Sequence, residues 1–423
     1  RSKPLRLILT GTAGTGKSLT VRAMVKGRRR IVNSRNGVRK DLPRKDPDAA
    51  CVLAAPTGCA SFHMKFGATT VHRAYGIPIG SIDASRPGKA FTERQARLKA
   101  AFLYVLDEMS MLSRMMLGKI SYRVEEALGL ANGSLGGRDC ILAGDLRQIP
   151  PVEGNPLYKE GPYDGNAVNK GENAPTAVSL NERGVLLRDE FLHVGDGDVV
   201  ILREVHRIET CTDGLDPEAA AKYKEDADRF LRVLDGMANC TWTPGDHAWL
   251  SERNRSALAK TEEGLKDIAQ FEASLLLMDG KKQNRKGDEG ADQSNERRLV
   301  HEARKMGEPI LECRAFHDKP AKETDIRIAS MDKDEFRGMS HAVRFCHGAR
   351  VLLTRNLWVA PGLVNGALGT LIGFVWPQGG DPHSTDDKKN KPVCAVVLFD
   401  DVNLGEDDVG PDENARPKRR NYF

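Results

Sequence analysis

The chain has 423 residues, 40% of them hydrophobic and 29% charged, with a formal net charge of +5. That length allows two or three domains, each with its own core, and no apolar stretch approaches the roughly 20 residues that a membrane helix requires. The first residues lack the charged start, apolar core and small-residue cleavage site of a secretory leader, and the eight cysteines contain no CxxC pair, so they read as reduced thiols of an intracellular protein.

Residues 5–9 form the first apolar strand, and Gly11-Thr12-Ala13-Gly14-Thr15-Gly16-Lys17-Ser18 follows, ahead of a helix. GxxxxGK[ST] between strand and helix is a phosphate cradle, because glycines turn backbone N–H groups inward and the helix N-terminus attracts anionic oxygens. In such a cradle Lys17 reaches the β- and γ-phosphates and Ser18 holds Mg²⁺. Next comes a basic run, Lys26, Arg28, Arg29, Arg30, Arg35, Arg39, Lys40, Arg44 and Lys45, opposed within its window by Asp41 alone. It reads either as a solvated loop or as a surface that neutralises nucleic-acid phosphates.

Further apolar strands are expected at Cys51–Ala55, 102–106, 140–143 and Val199–Leu202, separated by helical or loop segments. That rhythm predicts a parallel sheet with helices on its faces, an α/β fold. Cys51 and Cys394 sit inside apolar runs, where a small buried thiol is expected. Leu112, Met116, Ile120, Val124 and Leu128 recur every fourth residue and predict a helix whose stripe is core. Just past the third strand, Asp107 and Glu108 supply the acidic pair that a cradle needs: Asp107 to organise Mg²⁺ beside Ser18, Glu108 to orient or deprotonate the attacking water. Gln148, past the next strand, is placed to sense the γ-phosphate, with Pro150 and Pro151 stiffening the exit, although a simple strand-end turn accounts for the same residues.

Residues 153–177 read as a surface excursion rich in Gly, Pro and Asn. A domain boundary is expected at 205–215, giving domains 1–207 and 208–423. Beyond it, Asp216 and Pro217 cap a helix running to Met237. Strands are expected at 275–278, 326–329, 349–353, 368–374 and 393–399, polar loops at 280–293 and 379–391, and a helix over 295–306 stopped by Gly307. The charged end, finally basic through Arg416, Lys418, Arg419 and Arg420, is expected to fray and is a weak match to a nuclear address.

The cradle, the run from Ala54 to Ala60 with Thr69-Thr70-Val71-His72, Asp107-Glu108-Met109-Ser110-Met111 and the run from Gly144 to Val152 occur in order. Together they resemble the PIF-type (petite integration frequency) DNA helicases of superfamily 1. Leu202-Arg203-Glu204-Val205-His206-Arg207 is similar to that family's fourth motif, and Leu353-Thr354-Arg355-Asn356-Leu357 with the run from Gly362 to Gly366 is similar to a stretch of its second domain. The resemblance implies an ATP-driven motor of two RecA-like domains, the second incomplete, moving 5′ to 3′ on single-stranded DNA and opening duplex or structured DNA in replication, repair, recombination or telomere maintenance. It implies an ATP site of Lys17, Ser18, Asp107, Glu108, Gln148 and the arginine finger Arg207, with ATP and Mg²⁺ as cofactors. Thr57, Gly58 and His72 match the segment that grips DNA, and the implied partner is single-stranded or structured DNA, bound by a monomer with no membrane involved. The nucleus or mitochondrion is the implied compartment in a eukaryote, the cytoplasm otherwise. Cys59 and Ser61 stand where alanines are usual, and Ile208 where glutamine is. The family's adenine-reading glutamine segment and its late motif with the second arginine finger have no counterpart, which implies a chain truncated at both ends. A non-hydrolysing nucleic-acid-binding remnant and a RecD-like ATPase remain alternatives.

Overall fold

A computed structural model describes residues 3–38, 48–78, 88–129, 134–161, 177–193, 198–206, 214, 216–272, 291–314, 342–359, 361–380 and 391–402. The strands expected at 275–278 and 326–329, the basic run beyond residue 38, most of the 153–177 excursion, Arg207 and the charged end lie outside these residues. The chain divides into one unit of Arg1–Ser251 with Asn356–Ala360 and another of Glu252–Arg355 with Pro361–Phe423.

In the first unit the order is β1 (Arg6–Gly11), α1 (Lys17–Val38), β2 (Cys51–Ala55), α2 (Gly58–Met64), β3 (Thr69–Thr70), α3 (Val71–Tyr75), α4 (Lys89–Ala100) and β4 (Leu103–Leu106). It continues with α5 (Arg114–Leu128), β5 (Asp139–Gly144), α6 (Ala177–His193), β6 (Val199–Leu202), α7 (Pro217–Ala238) and α8 (Pro244–Ser251). The six strands form one parallel sheet in the order β3-β2-β4-β5-β1-β6, with helices on its faces, the α/β fold expected from the sequence.

Strand side chains alternate faces, so a sheet covered on both sides needs strands that are apolar throughout. Val52, Ala54, Tyr104, Leu106, Cys140 and Leu142 enter the layer beneath α3 to α6, whereas Cys51, Leu53, Leu103, Val105, Ile141 and Ala143 pack with Val21 and Val25 of α1. This is why each was readable as a continuous apolar run. Ile120 and Val124 of the α5 stripe are fully buried, and Ser113 caps that helix, its Oγ accepting from Met116 N–H at 3.1 Å. Arg6, also buried, ties β1 to α6 through an ion pair from its Nε to Glu190 at 2.7 Å.

Helices α5 and α6 meet at backbone distance because Gly118 faces Leu180 and Gly184 faces Arg114, and a Cβ on either glycine would collide with the opposing carbonyl oxygen. Gly118→Ala is therefore expected to destabilise the protein by at least about 2 kcal/mol in chemical denaturation, since the obstacle is main chain and cannot rotate away. At an open helical position the same change stabilises by about 1 kcal/mol, and that result would contradict this packing.

Asp216 caps α7 as its sequence predicts, accepting from the N–H groups of Glu218 at 3.1 Å and Ala219 at 2.9 Å. The first unit continues past the expected division between 207 and 208: Arg147, after β5, reaches Asp235 of α7 at 3.2 Å.

The second unit contains α9 (Arg255–Leu258), α10 (Glu262–Glu272), α11 (Ala291–Met306), β7 (Leu311–Arg314), β8 (Ala342–Phe345), β9 (Arg350–Leu352), β10 (Leu368–Val375) and β11 (Cys394–Phe399). Gly307, at φ 72°, follows the last turn of α11, as predicted. Its described sheets are antiparallel, β7 with β8 and β11-β10-β9. Neither β7 nor β8 was visible in the sequence, because both are four residues long and carry charges such as Glu312 and Arg344 on their open faces. Cys394 corrects an expectation: it is exposed, since β11 is an edge strand of a three-stranded sheet that does not bury both faces.

Candidate functional site

The cradle joins β1 to α1. Gly14 and Gly16 adopt φ 85° and 87°, a left-handed turn that a Cβ would oppose. Thr15 is buried, and its hydroxyl donates to the Thr12 carbonyl at 2.8 Å. The Lys17 ammonium donates to the carbonyls of Gly11 at 2.7 Å and Thr12 at 3.0 Å, which holds it over the loop that it closes. Ser18 is the second residue of α1.

In the sheet order β4-β5-β1, Asp107 and Glu108 follow β4, Gln148 comes shortly after β5, and the cradle follows β1, so parallel strands deliver all three to the same edge. Ligand sites of parallel sheets form at this carboxyl edge. Asp107 is 5% exposed. Its backbone N–H pairs with the Ala54 carbonyl at 3.0 Å, and its Oδ1 accepts from Glu108 N–H at 3.0 Å. Glu108 itself sits in the left-handed region at φ 52°, ψ 51°, a conformation costing an ordinary residue roughly 1–2 kcal/mol. That reversal ends β4 abruptly and turns the chain between two adjacent carboxylates. Nothing in the sequence announces it, because the residue is not glycine or asparagine.

Burial pushes the Asp107 carboxyl up to about 6; the neighbouring Glu108 carboxylate adds to this, while the Glu108 N–H and the Lys17 ammonium oppose it. Folding thus raises this group from 3.8, so its contribution to stability is full below about pH 4 and is lost as pH rises through about 6. Asp107→Asn keeps an acceptor for Glu108 N–H and removes the buried charge. It is expected to stabilise the protein in EDTA by up to about 3 kcal/mol at neutral pH, with the gain vanishing below pH 4 in denaturant titrations across pH. A gain independent of pH would contradict a charge origin.

Gln148 is exposed, and its N–H donates to the Asp145 carbonyl at 3.0 Å. Arg207 lies outside the described residues, but the backbone N–H of its neighbour His206 donates to the Gly14 carbonyl at 3.0 Å, fastening the segment after β6 to the cradle. Sequence reasoning missed this link because it is made by main chain.

Thr57, Gly58 and His72 lie at the far side of the same edge. Ala55 of β2 pairs with Thr70 of β3, so the two following helices begin at one level. Thr57 caps α2, accepting from Ala60 N–H at 3.2 Å, and Thr70 caps α3, accepting from Arg73 N–H at 3.4 Å. His72 Nδ1 lies 2.9 Å from the Ile77 carbonyl; a carbonyl only accepts, so Nδ1 carries the proton. Gly58 is buried against the Asn356 amide, which a Cβ at that position would overlap. This neighbour, remote in sequence, was not foreseen.

Ser18 Oγ and the Asp107 carboxylate are hard oxygen donors suited to Mg²⁺, which takes few protein ligands and completes its octahedron with phosphate and water. Among the described residues no group of three or more His, Cys, Asp or Glu forms a self-sufficient metal cage, and no helix is long and apolar enough to cross a membrane. The described cysteines are free, and burial pushes the Cys140 thiol up to about 12.

Residues 1–160 match the sequence model of the PIF1-like helicase family. The chain is 26% identical over 390 residues to human "ATP-dependent DNA helicase PIF1", covering 89% of this chain and 45% of that protein. It is also 26% identical over 431 residues to "ATP-dependent DNA helicase PIF5" of Trypanosoma brucei brucei, covering 89% and 43%. The chain therefore spans less than half the length of these curated relatives. A solved Pif1 helicase from Bacteroides in complex with ADP-AlF3 and ssDNA aligns over 94% of this chain and 69% of its own, with 17% identity and a TM-score of 0.45. Residues 1–160, the part that matches that family's sequence model, build the cradle and five of the sheet's six strands.

Proposed function

We propose that this chain is the motor part of an ATP-dependent DNA helicase that moves 5′ to 3′ along single-stranded DNA. The observation that carries the reading is the meeting, at one sheet edge, of the lysine-closed cradle with a buried aspartate and a glutamate held in the left-handed conformation. In this reading the cradle N–H groups and the Lys17 ammonium hold the β- and γ-phosphates of ATP, Lys17 exchanging the Gly11 and Thr12 carbonyls for phosphate oxygens. Ser18 and Asp107 hold Mg²⁺, which when bound neutralises charge on the transferring phosphoryl group. Glu108 accepts the proton of the attacking water. Gln148 senses the γ-phosphate from the loop after β5, and Arg207 acts as the arginine finger, in a segment anchored to Gly14 through His206.

Thr57, Gly58 and His72 hold the DNA strand. Capped helix starts aim backbone N–H groups at phosphates, and the Ile77 carbonyl, by engaging Nδ1, fixes the orientation of the His72 ring. The ADP-AlF3 and ssDNA complex of the Bacteroides Pif1 names the same two ligand classes. The reading includes a nuclear or mitochondrial site of action in a eukaryote. Its test is strand displacement on forked DNA carrying a single 5′ or a single 3′ tail, with ATP and Mg²⁺. Opening of the 5′-tailed substrate alone is expected, and opening from a 3′ tail would overturn the polarity.

A further inference from the structure

Among the described residues, α1, the end of α2 and the turn after it in the first unit carry basic side chains and no acidic ones. Helix α1 contains no Asp or Glu along its 22 residues while carrying Lys26, Arg28, Arg29 and Arg30 in its middle. No Asp or Glu occurs in α2 or in residues 65–73 either. The turn Lys65-Phe66-Gly67 holds three successive positive φ angles, 60°, 54° and 73°, which strains the two residues bearing a Cβ.

Cations and rings hold that turn in place. The Arg29 guanidinium lies 4.8 Å and the Lys26 ammonium 5.9 Å from the centre of the Phe66 ring, and the Lys65 ammonium lies 3.7 Å from that of Phe62. Arg29 also donates to the Phe66 carbonyl at 3.5 Å. Two aromatic rings thereby gather positive charge from separate segments onto one surface, on which Lys26, Arg30 and Lys65 are exposed. The patch lies at the opposite end of α2 from Thr57, a separation of about 10 Å for seven helical residues.

We propose that this face is a second DNA contact, binding the phosphodiester backbone of nucleic acid that continues beyond the strand held at Thr57 and His72. The exposed cations Lys26, Arg30 and Lys65, brought onto one surface, repel one another, and a polyanion relieves that repulsion while releasing its own counterions. Bases are not read here, so the contact is independent of sequence. The choice of DNA as the polyanion rests on the motor reading above.

The test is an anisotropy titration of labelled oligothymidylates of about 6 and about 24 nucleotides, lengths that fill the strand grip alone or reach beyond it, over a salt series. Wild type is compared with the triple variant Lys26→Gln, Arg30→Gln, Lys65→Gln, its fold checked by circular dichroism and fluorescent-ADP affinity. The variant is expected to lose at least about tenfold affinity for the longer strand at low salt, and its log–log salt slope should fall by about 2, three contacts at about 0.7 each. Affinity for the short strand and for ADP should not change. Equal losses on both lengths, or an unchanged slope on the longer one, would overturn the proposal. If the wild type hydrolyses no ATP while the length-dependent loss persists, the motor reading falls and the DNA-binding face stands.

Discussion

Replacing Lys17 with alanine is expected to lower kcat for ATP hydrolysis by at least about 10²-fold, the scale on which loss of one preorganised donor to developing charge is felt. The ammonium is held at the cradle by the Gly11 carbonyl at 2.7 Å and the Thr12 carbonyl at 3.0 Å, the bonds that in the motor reading it exchanges for phosphate oxygens. Because the same group meets the ground-state phosphates, nucleotide affinity should fall as well. Fluorescent-ADP titration beside phosphate-release kinetics measures both quantities. An unchanged kcat with only a raised KM would assign Lys17 to uniform binding and remove it from the chemistry.

Glu108→Gln should separate differently. Glutamine keeps the size of the side chain and leaves the N–H bond to Asp107 intact, yet it cannot accept a proton from water. The expected result is a loss of about 10²- to 10⁴-fold in kcat, with nucleotide affinity near that of the wild type and single-stranded DNA still bound. Such a variant should accumulate the ATP-bound form, seen as slow release of labelled nucleotide. A weakened affinity equal to that of Lys17→Ala would mean that Glu108 supports the cradle rather than the reaction. The left-handed backbone at Glu108 gives an independent check: Glu108→Gly should relieve the strain and stabilise the fold while abolishing turnover.

Sequence alone exposed the first unit because its physics is repetitive. Strands buried on both faces must be apolar at every position, and Cys51–Ala55, buried throughout, coincides with its predicted range; Val199–Leu202, at the end of the sheet order, also coincides although Val199, Val200 and Ile201 are exposed. The cradle was legible because only glycine tolerates the geometry that turns several N–H groups inward. Other features follow from tertiary contact and leave little trace. The basic run could be read as loop or binding surface, whereas through Val38 it is helix, its arginines being good helix formers. The Asn356 amide against Gly58, the His206 N–H on Gly14 and the cation-stacked turn at Phe66 each join segments that no local pattern links. In the second unit, short strands with one open face dilute the alternation, so β7 and β8 went unseen and Cys394 was placed inside when it lies outside.

In the motor reading the site sets stability against use. Asp107 is kept in a place that raises its carboxyl to about 6, a cost to the resting fold that a bound cation would offset. Asparagine there should yield a sturdier and inactive protein, the usual signature of a residue retained for chemistry.

The most direct test of the motor reading is the rate of ATP hydrolysis by this 423-residue chain with Mg²⁺, with and without single-stranded DNA, beside Glu108→Gln. Hydrolysis strongly stimulated by DNA and lost in the variant is the predicted result. A rate indifferent to DNA, or one that survives in Glu108→Gln, would contradict the account.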